Sequence, residues 1–210
     1  MDTKAAYNNW SAQYDTNVNP TRDLEALVLQ QTLATIPFNT CLEIGCGTGK
    51  NTAWLTQKAR EITAVDLSDE MLAKAKEKIG SQKVHFIQAD ILHDWHFATK
   101  KYDLVIFSLV LEHIEQLEPV FKQVSKALVP GGYVYIGELH PFKQYTGSKA
   151  RFTTDAGEQV VTCFDHHISD FIEAAKKHGI GIIELKEFFD DSDRTGIPRI
   201  LMLLLQKQTT

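Results

Sequence analysis

The sequence predicts a single α/β domain, a parallel sheet covered by helices, and three observations carry that prediction. Short apolar runs alternate with helix-like runs through most of the 210 residues, the pattern of a parallel sheet with crossover helices. One of these runs leads directly into three alternating glycines. The next run ends in an aspartate about 20 residues after that loop, a spacing typical of nucleotide-binding βαβ units.

The elements follow in order. Residues 1–35 are expected to be helical, and Tyr7, Trp10 and Tyr14, at spacings of three and four, form one aromatic face of that segment. This face is a candidate lid over a ligand, with core packing as its alternative. Strands are expected at Cys41–Gly45, Ile62–Asp66, Val84–Gln88, Leu104–Ser108 and Tyr133–Gly137, all continuous apolar runs that suit burial on both faces. Ser68 caps a helix over Asp69–Ile79, with acids in its first turn and lysines towards its end. Pro119 suits the first turn of a helix ending near Leu128. A helix from Ser169 to His178 stops at Gly179, and strands Ile182–Glu187 and Arg199–Gln206 bring the sheet to seven. The chain thus reads as one domain over 1–210, with a helical lid segment at 1–35 and a substrate-side insertion at 139–165. The acidic run Asp190-Asp191-Ser192-Asp193 reads as a solvated loop.

Composition narrows the function. The net charge of -5 and pI of about 5.9 leave no basic field for phosphate backbones or anionic membranes, so no nucleic acid and no membrane partner is expected. No apolar run approaches the roughly 18 residues of a membrane helix, and a cytoplasmic location is expected. Cys41, Cys46 and Cys163 form no close pair and read as reduced thiols, and no metal is expected from the spacing of the eight histidines.

The sharpest signal is Leu42-Glu43-Ile44-Gly45-Cys46-Gly47-Thr48-Gly49-Lys50. Backbone without Cβ atoms can approach a ligand closely there, and Asp66, at the end of the next strand, can accept hydrogen bonds from both hydroxyls of a ribose. The ligand should carry an adenosine. A phosphate-binding loop would need glycine at 44 and Ser or Thr at 51, where Ile44 and Asn51 stand. The dinucleotide fingerprint would need a small residue at Lys50, which disfavours NAD and FAD.

The motifs taken together resemble the type 11 methyltransferase domain family of class I methyltransferases. Glu43, Ile44, Gly45, Gly47 and Gly49 match its acidic glycine loop, and Asp66-Leu67-Ser68-Asp69-Glu70-Met71-Leu72 its second-strand motif. Ala89-Asp90-Ile91, the run Tyr102-Asp103-Leu104-Val105 on to Ser108, Glu112-His113-Ile114 and Leu128-Val129-Pro130-Gly131-Gly132 follow in the family's order. The resemblance implies a Rossmann-like class I methyltransferase fold, a seven-stranded, mostly parallel sheet with an antiparallel C-terminal strand and helices on both faces. It also implies S-adenosylmethionine as cofactor, with S-adenosylhomocysteine as product. Gly45, Cys46 and Gly47 would offer backbone contacts to the amino-acid part, Asp66 would hold the ribose and Asp90 the adenine amine, with Glu43 and Gly49 also counted to the cofactor site. Leu67, Met71 and Ile91 would pack the adenine, with Ser108 and Tyr14 completing the cofactor site. Met71 also suits plain core, Glu43 a buried structural acid and Asp66 a strand-end cap.

The methyl acceptor is expected to be a small soluble molecule. Asn-Pro-Pro-Tyr-type and Pro-Cys motifs are missing, and direct displacement needs a base only when the acceptor carries a proton. His113, His140, His166 and His167 are the candidate bases. His140 is favoured because it follows the fifth strand, where sites in open sheets form, with His113 next. A non-catalytic S-adenosylmethionine-binding module and a nucleotide-dependent oxidoreductase are the alternatives.

Overall fold

A computed structural model describes residues 2–154, 157–191 and 194–209. Strands β1 (Thr40–Ile44), β2 (Glu61–Asp66), β3 (Val84–Gln88), β4 (Tyr102–Ser108), β5 (Leu128–Leu139), β8 (Ile180–Phe188) and β9 (Ile200–Lys207) form one sheet in the order β3-β2-β1-β4-β5-β9-β8. The pairs from β3 through β5 are parallel, and β9 runs antiparallel to both β5 and β8. This is the Rossmann-like class I topology that the sequence implied.

Period-two alternation sends the side chains of the central strands to opposite faces. In β4, Val105 and Phe107 pack with Phe121 and Val124 of α5 (Leu117–Ala127) and Phe171 of α7 (Ile168–Lys176). Leu104 and Ile106 pack instead with Leu29 and Leu33 of α2 (Pro20–Leu33) and Leu55 of α3 (Lys50–Leu55). Helices therefore cover both faces. The Ser68 hydroxyl caps α4 (Asp69–Lys78) by accepting the Met71 N–H at 3.1 Å, as its sequence suggests. Helix α5 starts two residues before Pro119, and β5 begins at Leu128, five residues before the expected Tyr133, and so includes Pro130-Gly131-Gly132.

The two segments outside the alternation acquire structure of their own. At the N-terminus, α1 (Thr3–Trp10) and α2 are joined by turns. After β5 come α6 (Pro141–Tyr145) and a hairpin of β6 (Arg151–Thr154) and β7 (Gly157–Val160). Phe152 of β6 stacks on Trp10 of α1 with centroids 5.1 Å apart, so these two segments meet over one edge of the sheet. Asp155 and Ala156 of the insertion, and Ser192 and Asp193 of the acidic run, lie outside the described residues. Asp190 of that run is not simply solvated, because its carboxylate receives Arg199 in a two-point ion pair.

Candidate active site

Strand order reverses between β1 and β4, and a cleft opens beyond their carboxyl ends. The loop leaving β1 forms its near wall. Gly45 has φ +70° and a Cβ there would lie 2.2 Å from Val110 Cγ2, so only glycine lets the loop pass. Gly47, with φ +54°, faces open space. Its N–H donates to Asp66 Oδ2 at 2.7 Å while the Ser68 N–H donates to Oδ1 at 2.8 Å, which orients the Asp66 carboxylate at the end of β2. Burial raises its carboxyl above the usual range, opposed by those backbone bonds.

Leu67, Met71, Asp90, Ile91, Ser108 and Tyr14 line the same cleft. Asp90 Oδ1 accepts the Leu92 N–H at 2.9 Å. Met71 is at once a wall of the cleft and packed with Ala6 and Trp10 of α1. Gly49 departs from the expectation: it lines none of these cavities, and its missing Cβ matters for packing, since one would sit 2.7 Å from Cδ1 of Ile79, the residue that caps the end of α4.

A continuation of the cleft beneath the loop is lined by Tyr14, Arg22, Glu25, Glu43, Cys46, Asn51, Ser108 and Leu109, among others. Glu43 accepts the Thr52 hydroxyl at 2.6 Å, and burial pushes its carboxyl up to about 8. It is a buried acid paired inside the fold. Arg22 donates through its two terminal nitrogens to the carbonyls of Tyr14 and Asn17, while Nε, 3.5 Å from Asp23 Oδ1, has no hydrogen-bond partner. Asn51 Nδ2 donates to Ser108 Oγ at 3.0 Å, and its buried Oδ1 is unpartnered. Glu25 accepts hydrogen bonds from Ser108 and Tyr135, and burial pushes it up to about 7 against them. Gly137 makes room for it, as a Cβ would lie 2.4 Å from Glu25 Oε1.

A second cavity adjoins the first, and Tyr7, Tyr14 and Leu109 line both. Leu109 has φ +56°, the left-handed region that a leucine occupies only under constraint from its surroundings. Residues 110–112 are anchored by Glu138 at the end of β5, whose carboxylate accepts their three backbone N–H groups at 3.0, 2.8 and 3.4 Å. Burial, then the nearby Glu112, raises Glu138 to about 8.

The histidines separate clearly. His140 lines none of these cavities. Its side chain is buried, with Nε2 on Glu187 at 2.9 Å and Nδ1 accepting the Phe142 N–H at 3.2 Å, so it caps α6 instead of facing the cleft. Following the fifth strand in sequence did not bring it to the crevice. His166 bonds the Ile114 carbonyl at 2.7 Å and His167 the Tyr145 hydroxyl at 2.6 Å. His113 does line the cleft. Its Nδ1 is 2.8 Å from the Thr162 carbonyl, which can only accept, so Nδ1 carries the proton and Nε2 accepts from Tyr7 O–H at 2.8 Å. Both ring nitrogens are thus engaged.

Arg22, Glu25, Asn51, Leu109, Glu112 and Glu138 are among the residues lining or supporting these cavities that sequence reasoning missed. A positive φ on leucine leaves no trace in residue type, whereas an acid such as Glu138 inside an apolar strand run is a readable signal of a buried polar anchor.

Residues 42–136 match the model of a methyltransferase domain family. The chain is 34% identical over 134 residues to a malonyl-[acyl-carrier protein] O-methyltransferase of Priestia megaterium, covering 61% of this chain and 48% of that one. It therefore spans about half the length of that curated relative. Among solved structures, it is similar to a DhpI complex with S-adenosylhomocysteine, with TM-score 0.78, 24% identity and coverage of 99% of this chain and 96% of that one. An S-adenosylmethionine-dependent methyltransferase of Mesorhizobium loti gives TM-score 0.72 and 20% identity over 86% of this chain and 96% of that one.

Proposed function

We propose that the chain is a class I S-adenosylmethionine-dependent methyltransferase that transfers the cofactor's methyl group to a small soluble acceptor held in the second cavity. The observation that carries this reading is the shared wall of Tyr7, Tyr14 and Leu109, which puts an acceptor-sized space beside the cofactor cleft. A module that merely held the cofactor would have no need of that space.

The residues present fit the cofactor. An amino-acid tail brings a carboxylate and an ammonium, and the cavity beneath the loop offers Arg22 Nε, ion-paired with Asp23 at 3.5 Å but without a hydrogen bond, for the first and Asn51 Oδ1, which has no hydrogen-bond partner, for the second. Gly45, Cys46 and Gly47 would approach the tail through their backbone, Asp66 would take the ribose and Asp90 the adenine amine. Leu67, Met71 and Ile91 would cover the adenine, and Ser108 and Tyr14 would close the site around the reacting end. When bound, the cofactor supplies an electrophilic methyl group on a positive sulfur. The protein's contribution is then alignment and exclusion of water. The Tyr7–His113 hydrogen bond clasps α1 across the cleft and makes His113 a positioning residue.

We take the acceptor to be a free small molecule; an acyl-carrier-linked one, as in the name of the Priestia relative, is the second candidate. The acidic surface, with net charge -5, argues against nucleic acid. No helix among the described residues is long and apolar enough to cross a membrane. We take the enzyme to work in the cytoplasm, where Cys41, Cys46 and Cys163, all uncrosslinked, stay reduced. A screen of small metabolites for release of S-adenosylhomocysteine tests the proposal. Acceptor-dependent release supports it; cofactor binding with no turnover on any pool, free or carrier-linked, would leave only a binding module.

A further inference from the structure

Two polar groups near the junction of the cavities lack partners. Glu112 is 6% exposed, and its Oε2 has no hydrogen-bond partner; Trp10 is 5% exposed, and its Nε1–H has none either. Both residues line the second cavity. Leaving a buried donor or acceptor unsatisfied costs about 1–3 kcal/mol, more for a charged one, and natural sites retain such groups where a ligand completes them. One orphan is an acceptor and the other a donor, so the missing partner must offer both kinds of group.

We propose that the second cavity recognises an acceptor whose nucleophile is a protonated amine seated on Glu112 Oε2, with an oxygen of the same molecule taking the Trp10 N–H. This rests on the methyltransferase reading above. The chemistry around Glu112 favours a cation over an acid. Tyr7, Trp10 and Tyr14 line the same cavity, and aromatic faces beside a carboxylate attract ammonium groups. The opposing cations are exposed or occupied. Arg199 is paired with Asp190, Arg151 reaches Glu158 and the Gly147 carbonyl, and both Lys149 and Arg151 are exposed at the rim. A carboxylate nucleophile would instead meet the Glu112 carboxylate and have no proton to give.

In the balanced step, the ammonium would pass one proton to Glu112 Oε2, the neutral amine's lone pair would form the N–CH3 bond as the methyl–sulfur bond breaks and sulfur keeps that pair as a neutral thioether, and Glu112 would later return the proton to solvent. Burial raises the Glu112 carboxyl above the usual range, with His113, Cys163 and Gln144 pulling it back, which makes it a better proton acceptor than an exposed carboxylate.

The test needs no identified acceptor. Analogues of S-adenosylhomocysteine with nitrogen in place of sulfur can carry an aminoethyl, an ethyl or a carboxymethyl arm where the transferable methyl would be. Calorimetry on the wild type should rank aminoethyl at least tenfold tighter than ethyl, with carboxymethyl weakest. In Glu112→Gln the aminoethyl advantage should fall below threefold, while S-adenosylhomocysteine affinity stays within twofold and so reports an intact fold. Should Glu112→Gln lose S-adenosylhomocysteine, Glu112→Asp, which keeps the charge on a shorter arm, should retain part of the aminoethyl preference. Carboxymethyl binding as tight as aminoethyl, or a preference that survives Glu112→Gln or vanishes in Glu112→Asp, would overturn the proposal. If the wild type fails to bind S-adenosylhomocysteine at all, the methyltransferase reading itself falls.

Discussion

The cleft proposed for the cofactor and the cavity proposed for the acceptor share a wall but are built differently. The cleft is made of strand ends and the loops that leave them, so Gly45, Gly47, Asp66, Asp90 and Ser108 arrive there through sheet register and short-range spacing. The acceptor cavity is assembled from side chains that sequence scatters, Tyr7 and Trp10 from α1, Glu112 after β4, Lys149 before the hairpin and Arg199 ahead of β9. A backbone-built site tolerates little change and uses recurrent motifs; a side-chain-built site can be re-specified residue by residue.

Mutations should expose that difference. The largest effect is expected on the cofactor side from Gly45→Ala. Its Cβ would lie 2.2 Å from Val110 Cγ2 on a backbone at φ +70°, and S-adenosylhomocysteine affinity by calorimetry should fall by about 100-fold, some 2.7 kcal/mol. Retention of affinity would show that the loop is not close-packed. Next comes Arg22→Ala, which removes the guanidinium whose Nε has no hydrogen bond, and its charge. A loss of about 10-fold for S-adenosylhomocysteine, with much less for adenosine lacking the amino-acid tail, is expected; equal losses for both would remove Arg22 from tail recognition. On the acceptor side, Tyr7→Phe breaks the clasp to His113 and should cost a net of about 1 kcal/mol. The expected outcome is turnover reduced about fivefold with cofactor affinity within twofold, and an inverted pattern would move Tyr7 to the cofactor side.

This contrast also explains what was legible beforehand. The alternation of Cys41–Gly45, Ile62–Asp66 and Leu104–Ser108 with helical runs, together with the glycine loop, carries the topology, because buried parallel strands must be continuous apolar runs. Ser68 announced its helix because a cap acts within three residues. His140 misled for the opposite reason. Adjacency to a strand end says where the chain is but not which way an imidazole turns, and Glu187, 47 residues away, decided that. Glu25 was equally out of reach, since its partners Ser108 and Tyr135 are 83 and 110 residues distant.

The smallest predicted effect concerns stability. Glu25, Glu43 and Glu138 are held near 7, 8 and 8 by burial, well above the ordinary value of about 4.3. Between about pH 5 and 8 the native state holds protons that the unfolded chain has released, so stability is greatest at the acid end and falls as pH rises. Chemical denaturation across this range should show the decline, and Glu43→Gln, which keeps an acceptor for Thr52, should flatten it. A curve that rises with pH would mean that these acids are ionised in the fold.

The most direct test of the account is titration calorimetry with S-adenosylhomocysteine, NADH and ATP on the wild type and on Asp66→Ala. The account predicts one site in the micromolar range for S-adenosylhomocysteine, about 8 kcal/mol, weakened by roughly 2–3 kcal/mol in Asp66→Ala, with NADH and ATP giving no binding. Affinity for S-adenosylhomocysteine unchanged by the substitution, or NADH binding as tightly, would contradict it.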